Sequence, residues 1–363
     1  MKGRVTALIV LLAVGMTAYC QGRASWLETE HDFGDIKEEN GKVSCQLRMV
    51  NAGDSALFVT RVQTTCGCTA ADYPRYAINP GDTAAVTLTY NPYNRPGNFE
   101  KDAFVYTTGT VSRTRLTLTG NVAATPVTVN TRYPIVCGGL RLENASIPLG
   151  KLYRGSTRAA YISCYNASTD TIIATTEGNK AHITASMAPD TIPPGTNANF
   201  NIQYDTGLVP LWGFNADTLT IISEPLRRHD GSVSGLTHIN VMSQVVDRND
   251  NLAPEQLADA PQVRIEGGKM VDFDRLTATV TKTFSIKNTG KEPLILRRLW
   301  SPEGAVTATC SQTEIRHGET AAISVTVDMS LVDGPMLNAI LYIITNDPYN
   351  QTTEVRLVGT VAK

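Results

Sequence analysis

The sequence predicts an all-β protein, three tandem β-sandwich domains behind an N-terminal signal peptide. Short runs rich in Thr, Val, Ile, Leu and Tyr alternate apolar with polar residues, and Gly, Pro, Asn and Asp separate them. One order of turn signatures recurs three times along the 363 residues. A charged and then apolar N-terminus precedes the first copy.

The N-terminus comes first. Lys2 and Arg4 precede Val5 to Met16, a stretch that is apolar apart from Thr6 and Gly15. It is shorter than the ~20 residues a membrane span needs, so residues 1–24 read as a secretory signal and the mature chain as lacking a transmembrane span. Cleavage is expected between Cys20 and Ser25. Acylation of Cys20 is the lesser reading, because Tyr19 is a poor fit immediately before a lipoprotein cysteine.

Three stretches alternate strictly and read as strands: Val43 to Met49, Ala85 to Tyr90 and Thr114 to Thr119. The repeated features are Phe33-Gly34-Asp35-Ile36, Asn51-Ala52-Gly53 and Ile78-Asn79-Pro80-Gly81 in the first copy. The third has Phe273-Asp274-Arg275-Leu276, Asn288-Thr289-Gly290 and Ile315-Arg316-His317-Gly318. The second is looser, with Leu149-Gly150, Asn166-Ala167-Ser168 and Ile192-Pro193-Pro194-Gly195. About seven strands in roughly 100 residues is the arithmetic of an immunoglobulin-like sandwich. Domains are therefore expected over 25–123, 133–246 and 262–363. Ala123 to Arg132 and Asp247 to Gln262 read as linkers, the latter with room for one short helix.

Lys plus Arg number 32 against 34 Asp plus Glu, so no charge excess points to nucleic acid or an anionic membrane. The five histidines form no His-x-x-x-His pair, no Gly-x-Ser-x-Gly is present, and the carboxylates stand in no recognisable catalytic frame. The expectation is a protein without enzymatic activity and without a cofactor. His31 reads as a strand or turn residue and His317 as a solvated loop residue, while Arg227-Arg228-His229 and Arg297-Arg298 read as solvated strand ends. Trp26, Trp212 and Trp300 fall one per domain and are expected in the cores. Tyr73, Tyr76 and Tyr93 are expected on loops, where tyrosine suits a contact surface.

Six cysteines follow Cys20. Cys45 shares a strand face with Val43, Leu47 and Met49, and Cys164 shares one with Ile162, so both read as small core residues. Cys66-Gly67-Cys68 is the sharpest local feature, and three readings attach to it. The pair is a structural staple, with Gly67 allowing an unusual turn and one thiol packing or bridging toward Cys45. It is a small, easily reduced disulfide suited to thiol exchange. Or it starts a metal site, for which a tetrahedral zinc set lacks the remaining ligands. The first is the expectation.

With Thr65-Cys66-Gly67-Cys68-Thr69 and Tyr90-Asn91-Pro92 added to the turn motifs above, the first copy resembles the bacterial domain-of-unknown-function family 1573. Trp26 to Ala123 carries most of the likeness; the other two copies lack the Cys-Gly-Cys pair. The resemblance implies an immunoglobulin-like module akin to Hydin-type and major-sperm-protein-like domains, in an exported protein. The function expected is a non-enzymatic binding or scaffolding module, periplasmic or cell-surface, with an envelope protein or glycan as partner. A thiol-redox or metal-handling protein centred on Cys66 and Cys68 is the alternative.

Overall fold

The computed structural model describes residues 21–361. The alternating stretches form strands because one face of each can be buried between two sheets while the other meets water. In the first sandwich one sheet runs Ala24–Trp26, Val43–Asn51, Thr83–Tyr90, Thr69–Asp72. The facing sheet runs Glu30–Lys37, Arg113–Ala123, Gly97–Thr107, Val59–Thr64. Leu47, Met49, Val86 and Leu88 from the first close the core with Ala103, Val105, Leu116 and Leu118 from the second.

The second sandwich faces the sheet Ile183–Ala188, Asn197–Asp205, Thr157–Asn166, Leu140–Leu142, Ile135–Cys137 with the sheet Ser146–Tyr153, Gly235–Val246, Gly213–Pro225, Ile172–Glu177, Thr191–Ile192. In the third, Val263–Ile265, Val280–Asn288, Thr320–Val327 and Val306–Cys310 make one sheet. Met270–Leu276, Thr352–Val361, Met336–Thr345, Leu294–Trp300 and Glu314–Ile315 make the other. Each pair of sheets encloses its own apolar core. The chain is thus all-β, a series of immunoglobulin-like sandwiches.

The repeated motifs now have causes. Asn51, Asn166 and Asn288 are fully buried, each at the end of a strand. Each Nδ2 donates to two backbone carbonyls: Ser55 and Ile78, Asp170 and Ile192, Glu292 and Ile315. Each Oδ1 accepts from the backbone N–H two residues on, that of Gly53, Ser168 or Gly290. One amide therefore ties a turn to the strand that arrives from the isoleucine of the next repeated motif.

The Phe-Gly-Asp motif is a bulge. Glu30–Lys37 pairs parallel with Arg113–Ala123, with a register shift between Asp32 and Asp35. Gly34 takes φ +63° there and gives its N–H to the Asp32 carboxylate. Asp274 does the same at φ +54°, bonded to Asp272, and Gly150 at +69° marks the corresponding shift in the second sandwich.

Two expectations change. Gln21 to Ala24, assigned above to the signal, are stitched into the first sandwich. The Gln21 N–H binds the Asp54 carboxylate, the Arg23 N–H binds Asn51 Oδ1, the Gly22 carbonyl accepts from Thr110, and Ala24 is buried. Of the cuts expected between Cys20 and Ser25, any after Gln21 would remove bonds that the fold uses, whereas one directly after Cys20 would not; Met1 to Cys20 lie outside the described residues. The first linker holds a helix that was not expected, and the second holds the one short helix for which the sequence left room. Helix α1 (Pro126–Arg132) has Pro126 in its first turn and Thr125 Oγ1 accepting from the Thr128 N–H. Helix α2 (Pro254–Asp259) lies in the second linker, which is tied along the third sandwich. The Asp247 N–H meets Gln351 Oε1, Gln351 Nε2 returns to the Asp247 carbonyl, and Asp259 pairs with Lys291 at 2.6 Å. By compactness the chain makes two units, the first sandwich with α1, and the second and third sandwiches together.

Glu38 anchors α1. Its side chain is buried and accepts from the Asn94 N–H at 2.7 Å, the Thr128 hydroxyl at 2.8 Å and the Thr125 N–H at 3.0 Å. Burial works to raise its pKa, but these donors outweigh it and hold the carboxyl below its ordinary value.

Replacing Asn51 by Ala removes the side-chain donor to the Ser55 carbonyl, leaves the Ile78 carbonyl with the Leu57 N–H alone and takes the acceptor from the Gly53 and Arg23 N–H groups; it should cost on the order of 2 to 4 kcal/mol, read by chemical denaturation of the full chain. Because Glu38 has a depressed pKa, its contribution is present above the carboxyl's unfolded pKa and is lost as pH falls through the folded value. Glu38→Gln should therefore flatten the acid limb of the stability–pH curve and lower stability at neutral pH by about 1 to 3 kcal/mol, measured by the same denaturation across pH.

Candidate functional site

Cys66 and Cys68 are disulfide-bonded to each other, while Cys45, Cys137, Cys164 and Cys310 are free. Neither Cys66 nor Cys68 bridges to Cys45, but Cys45 and Cys68 share one core with Cys66 packed against it. Cys45 is buried on the inner face, where desolvation pushes its thiol up to about 11, and burial pushes Cys164 up to about 12. Neither thiol is set up to react at neutral pH. The disulfide lies where the chain leaves Val59–Thr64 in one sheet for Thr69–Asp72 in the other. Cys68 is buried and Cys66 half-buried. Gly67 does not need its glycine, since its φ is not positive and a Cβ there would meet nothing within 4 Å.

The three tyrosines do not converge. Thr69 pairs with Tyr90, and the Asn91 N–H binds the Cys68 carbonyl, so Tyr93 lies at the disulfide end of that sheet. Tyr73 and Tyr76 follow Asp72 at the opposite end of the strand. Tyr73 packs against the core under Arg75, while Tyr76 and Tyr93 are 64% and 70% exposed.

A second region assembles more chemistry than the sequence disclosed. Within the unit of the second and third sandwiches lies a cleft of about 810 Å³. Its floor comes from Gly213–Pro225 and Gly235–Val246, through Phe214, Ala216, Met242 and Gln244, and its wall from Arg298 and Trp300. Phe214, Trp300 and Tyr342 pack on one another with ring centroids 4.9 to 5.4 Å apart. Trp212 lies beneath Arg297, whose guanidinium is 4.3 Å from the ring centroid and which pairs with Asp247 at 3.3 Å. Gly213 permits the close approach, because it has φ +76° and a Cβ would collide with Ile344.

At one end of the cleft Asp217 is buried. Its carboxylate accepts from Lys180 Nζ at 2.7 Å and lies 3.0 Å from His182 Nε2. Desolvation works to raise the Asp217 pKa, but Lys180 and His182 prevail and hold it below the ordinary value. Arg298, also in the lining, is half-buried and gives Nη1 to the carbonyls of Trp212 and Phe214. Sequence reasoning placed Arg297-Arg298 at a solvated strand end and Trp212 and Trp300 in cores. Arg297 is exposed and Trp212 packs against the second core, in keeping with that reading, whereas Arg298 and Trp300 form the wall of the cleft.

The remaining candidates resolve simply. His31 lies in a strand, edge-on to Phe33 at 4.6 Å, and His317 Nδ1 sits 2.7 Å from the Gly290 carbonyl, so that ring is tied to the turn. His229 and Ser232 both bind the Asp170 carboxylate, at 2.6 and 3.2 Å. That places the acid at the centre, so the hydroxyl is not activated by the ring as a nucleophile would be. Among the described residues no group of three or more His, Cys, Asp and Glu side chains stands as a metal site. No described helix is long and apolar enough to cross a membrane.

Comparison with known proteins follows the repeats. No curated protein matches the sequence. Among solved structures, a protein of unknown function from Porphyromonas gingivalis W83 is similar at 17% identity, with a TM-score of 0.48, over 61% of this chain and 100% of that one. The ASH/PapD-like domain 7 of human CEP192 is similar at 13% identity, with a TM-score of 0.26, over 32% of this chain and 93% of that one. The family described as protein of unknown function (DUF1573) matches residues 24–122 and 268–361, the first and third sandwiches. These two matches cover more than half of the sequence, and the chain belongs to the DUF1573 family.

Proposed function

We propose that the chain is an exported, non-enzymatic envelope protein that works as a binding module, with the cleft in its second compact unit as the ligand site and the first sandwich as scaffold. The observation that carries this reading is a cleft whose walls are already fixed. Phe214, Trp300 and Tyr342 hold one another, and Asp217 is locked between Lys180 and His182. About 810 Å³ with aromatic walls and a few polar groups is the size and composition of a small-ligand site. An envelope protein or glycan then presents such a ligand group. Export rests on Lys2 and Arg4 ahead of the apolar run.

A second reading has its own support. The Cys66–Cys68 disulfide spans a single residue and leaves Cys66 half-buried in an intersheet crossing, a place a small thiol partner can reach. It makes the first sandwich a thiol-exchange module.

Fluorescence titration with the neutral probe N-phenyl-1-naphthylamine tests the binding reading. One probe per chain is expected, with affinity reduced at least tenfold by Met242→Arg, which fills the cleft, and unchanged when dithiothreitol opens Cys66–Cys68. No saturable binding, or binding indifferent to Met242→Arg, overturns it, and binding that switches with the disulfide favours the second reading. Mass spectrometry of protein from its native envelope tests export: a mature chain starting no later than Gln21 is expected, and an intact Met1 sinks the proposal.

A further inference from the structure

The charges that line the cleft are unevenly matched. Lys180 and Asp217 neutralise each other at 2.7 Å. Arg298 has no carboxylate partner among the described residues; its guanidinium lies over the Trp300 ring, 5.3 Å from the centroid. Its Nη1 donations go to two backbone carbonyls, and burial alone pulls its pKa down with no carboxylate working the other way. Arg297, one residue earlier, has Asp247 as its counter-ion. A half-buried guanidinium without a counter-charge is costly, and its remaining N–H groups require acceptors.

We infer that the cleft takes a small organic carboxylate with an apolar body, its head group on Arg298 and its body along Trp300, Phe214 and Met242. This rests on the reading of the cleft as a binding site. The guanidinium fork matches the two oxygens of a carboxylate, and a charge-assisted pair there gains from the half-buried setting. One unpaired cation balances one negative charge. Pro148, Leu211 and Met242 supply an apolar part of the lining that suits a single charge on an apolar body better than a dianion such as phosphate. The apolar walls suit the body of the same molecule. Sugars and neutral lipids leave Arg298 unneutralised.

The test displaces N-phenyl-1-naphthylamine from the full chain with decanoate or decan-1-ol, each kept below its aggregation concentration. Decanoate is expected to displace the probe at about tenfold lower concentration than decan-1-ol, the effect of one charge-assisted pair. Arg298→Gln should bring the two to the same midpoint while the neutral alcohol keeps its own. Because Arg298 also holds the Trp212 and Phe214 carbonyls, a second variant guards against misfolding. Ala216→Glu leaves Arg298 in place but supplies an internal carboxylate in the cleft, and should likewise abolish the preference. Equal displacement by acid and alcohol in the unaltered protein overturns the inference while leaving the binding reading intact. So does a decanoate preference that survives either substitution. If the neutral probe itself does not bind, the binding reading has failed, and the inference with it.

Discussion

A single buried amide, present three times, is the interaction on which each sandwich rests. Asn51, Asn166 and Asn288 stand where a strand must end and the chain must turn across to the opposite sheet. A turn leaves backbone carbonyls and N–H groups without ladder partners, and at the mouth of a dry core those groups would be expensive. An asparagine supplies two donors and an acceptor in one plane. In each copy its acceptor closes the turn and its donors fasten both the turn's far side and the buried isoleucine strand. The oxygen reaches further in two copies, taking the N–H of Arg23 or Gln262 and so fixing where the first strand enters. The amide thereby sets entry, turn and closure together, and the strands between are free to vary.

That explains what was legible in the sequence. The Asn-x-Gly and Ile-x-x-Gly turns and the alternating strands are local, and each could be read from a few adjacent residues, whereas Phe33-Gly34 stood out only as a repeat and the structure shows it to be a bulge. The inner-face assignments of Cys45 and Cys164 followed from strand phase alone. The cleft was illegible for the opposite reason. Lys180 and Asp217 stand 37 residues apart and are brought together by the tertiary fold of the second sandwich, and Trp212 and Arg298 stand 86 apart, joined by the packing of the second and third sandwiches. Arg298 in isolation looks like any basic residue at a strand end. Nothing local distinguishes it from Arg297, which found a counter-ion where Arg298 did not.

Chemical variety is concentrated at one place in the repeated architecture. Where the chain passes from Val59–Thr64 to Thr69–Asp72, the first sandwich carries its disulfide. At the corresponding crossing between Ile172–Glu177 and Ile183–Ala188, the second carries Lys180 and His182. The third leaves the crossing strand at Trp300. In the first two sandwiches this segment belongs to neither sheet, so it bears few ladder constraints. The same topology thus supports a cross-linked loop in one copy and cleft-lining side chains in the others.

In each sandwich an early strand pairs parallel with the last, and that carries a mechanical consequence. Glu30–Lys37 beside Arg113–Ala123, Ser146–Tyr153 beside Gly235–Val246, and Met270–Leu276 beside Thr352–Val361 all run in the same direction as their partners. Tension that draws the start of a sandwich away from its end therefore pulls along the strands. It loads the whole row of inter-strand hydrogen bonds in shear, where a hairpin would be opened one rung at a time. Each sandwich is consequently a stiff link, with a rupture force set by the simultaneous failure of that row, a property suited to a chain under pull.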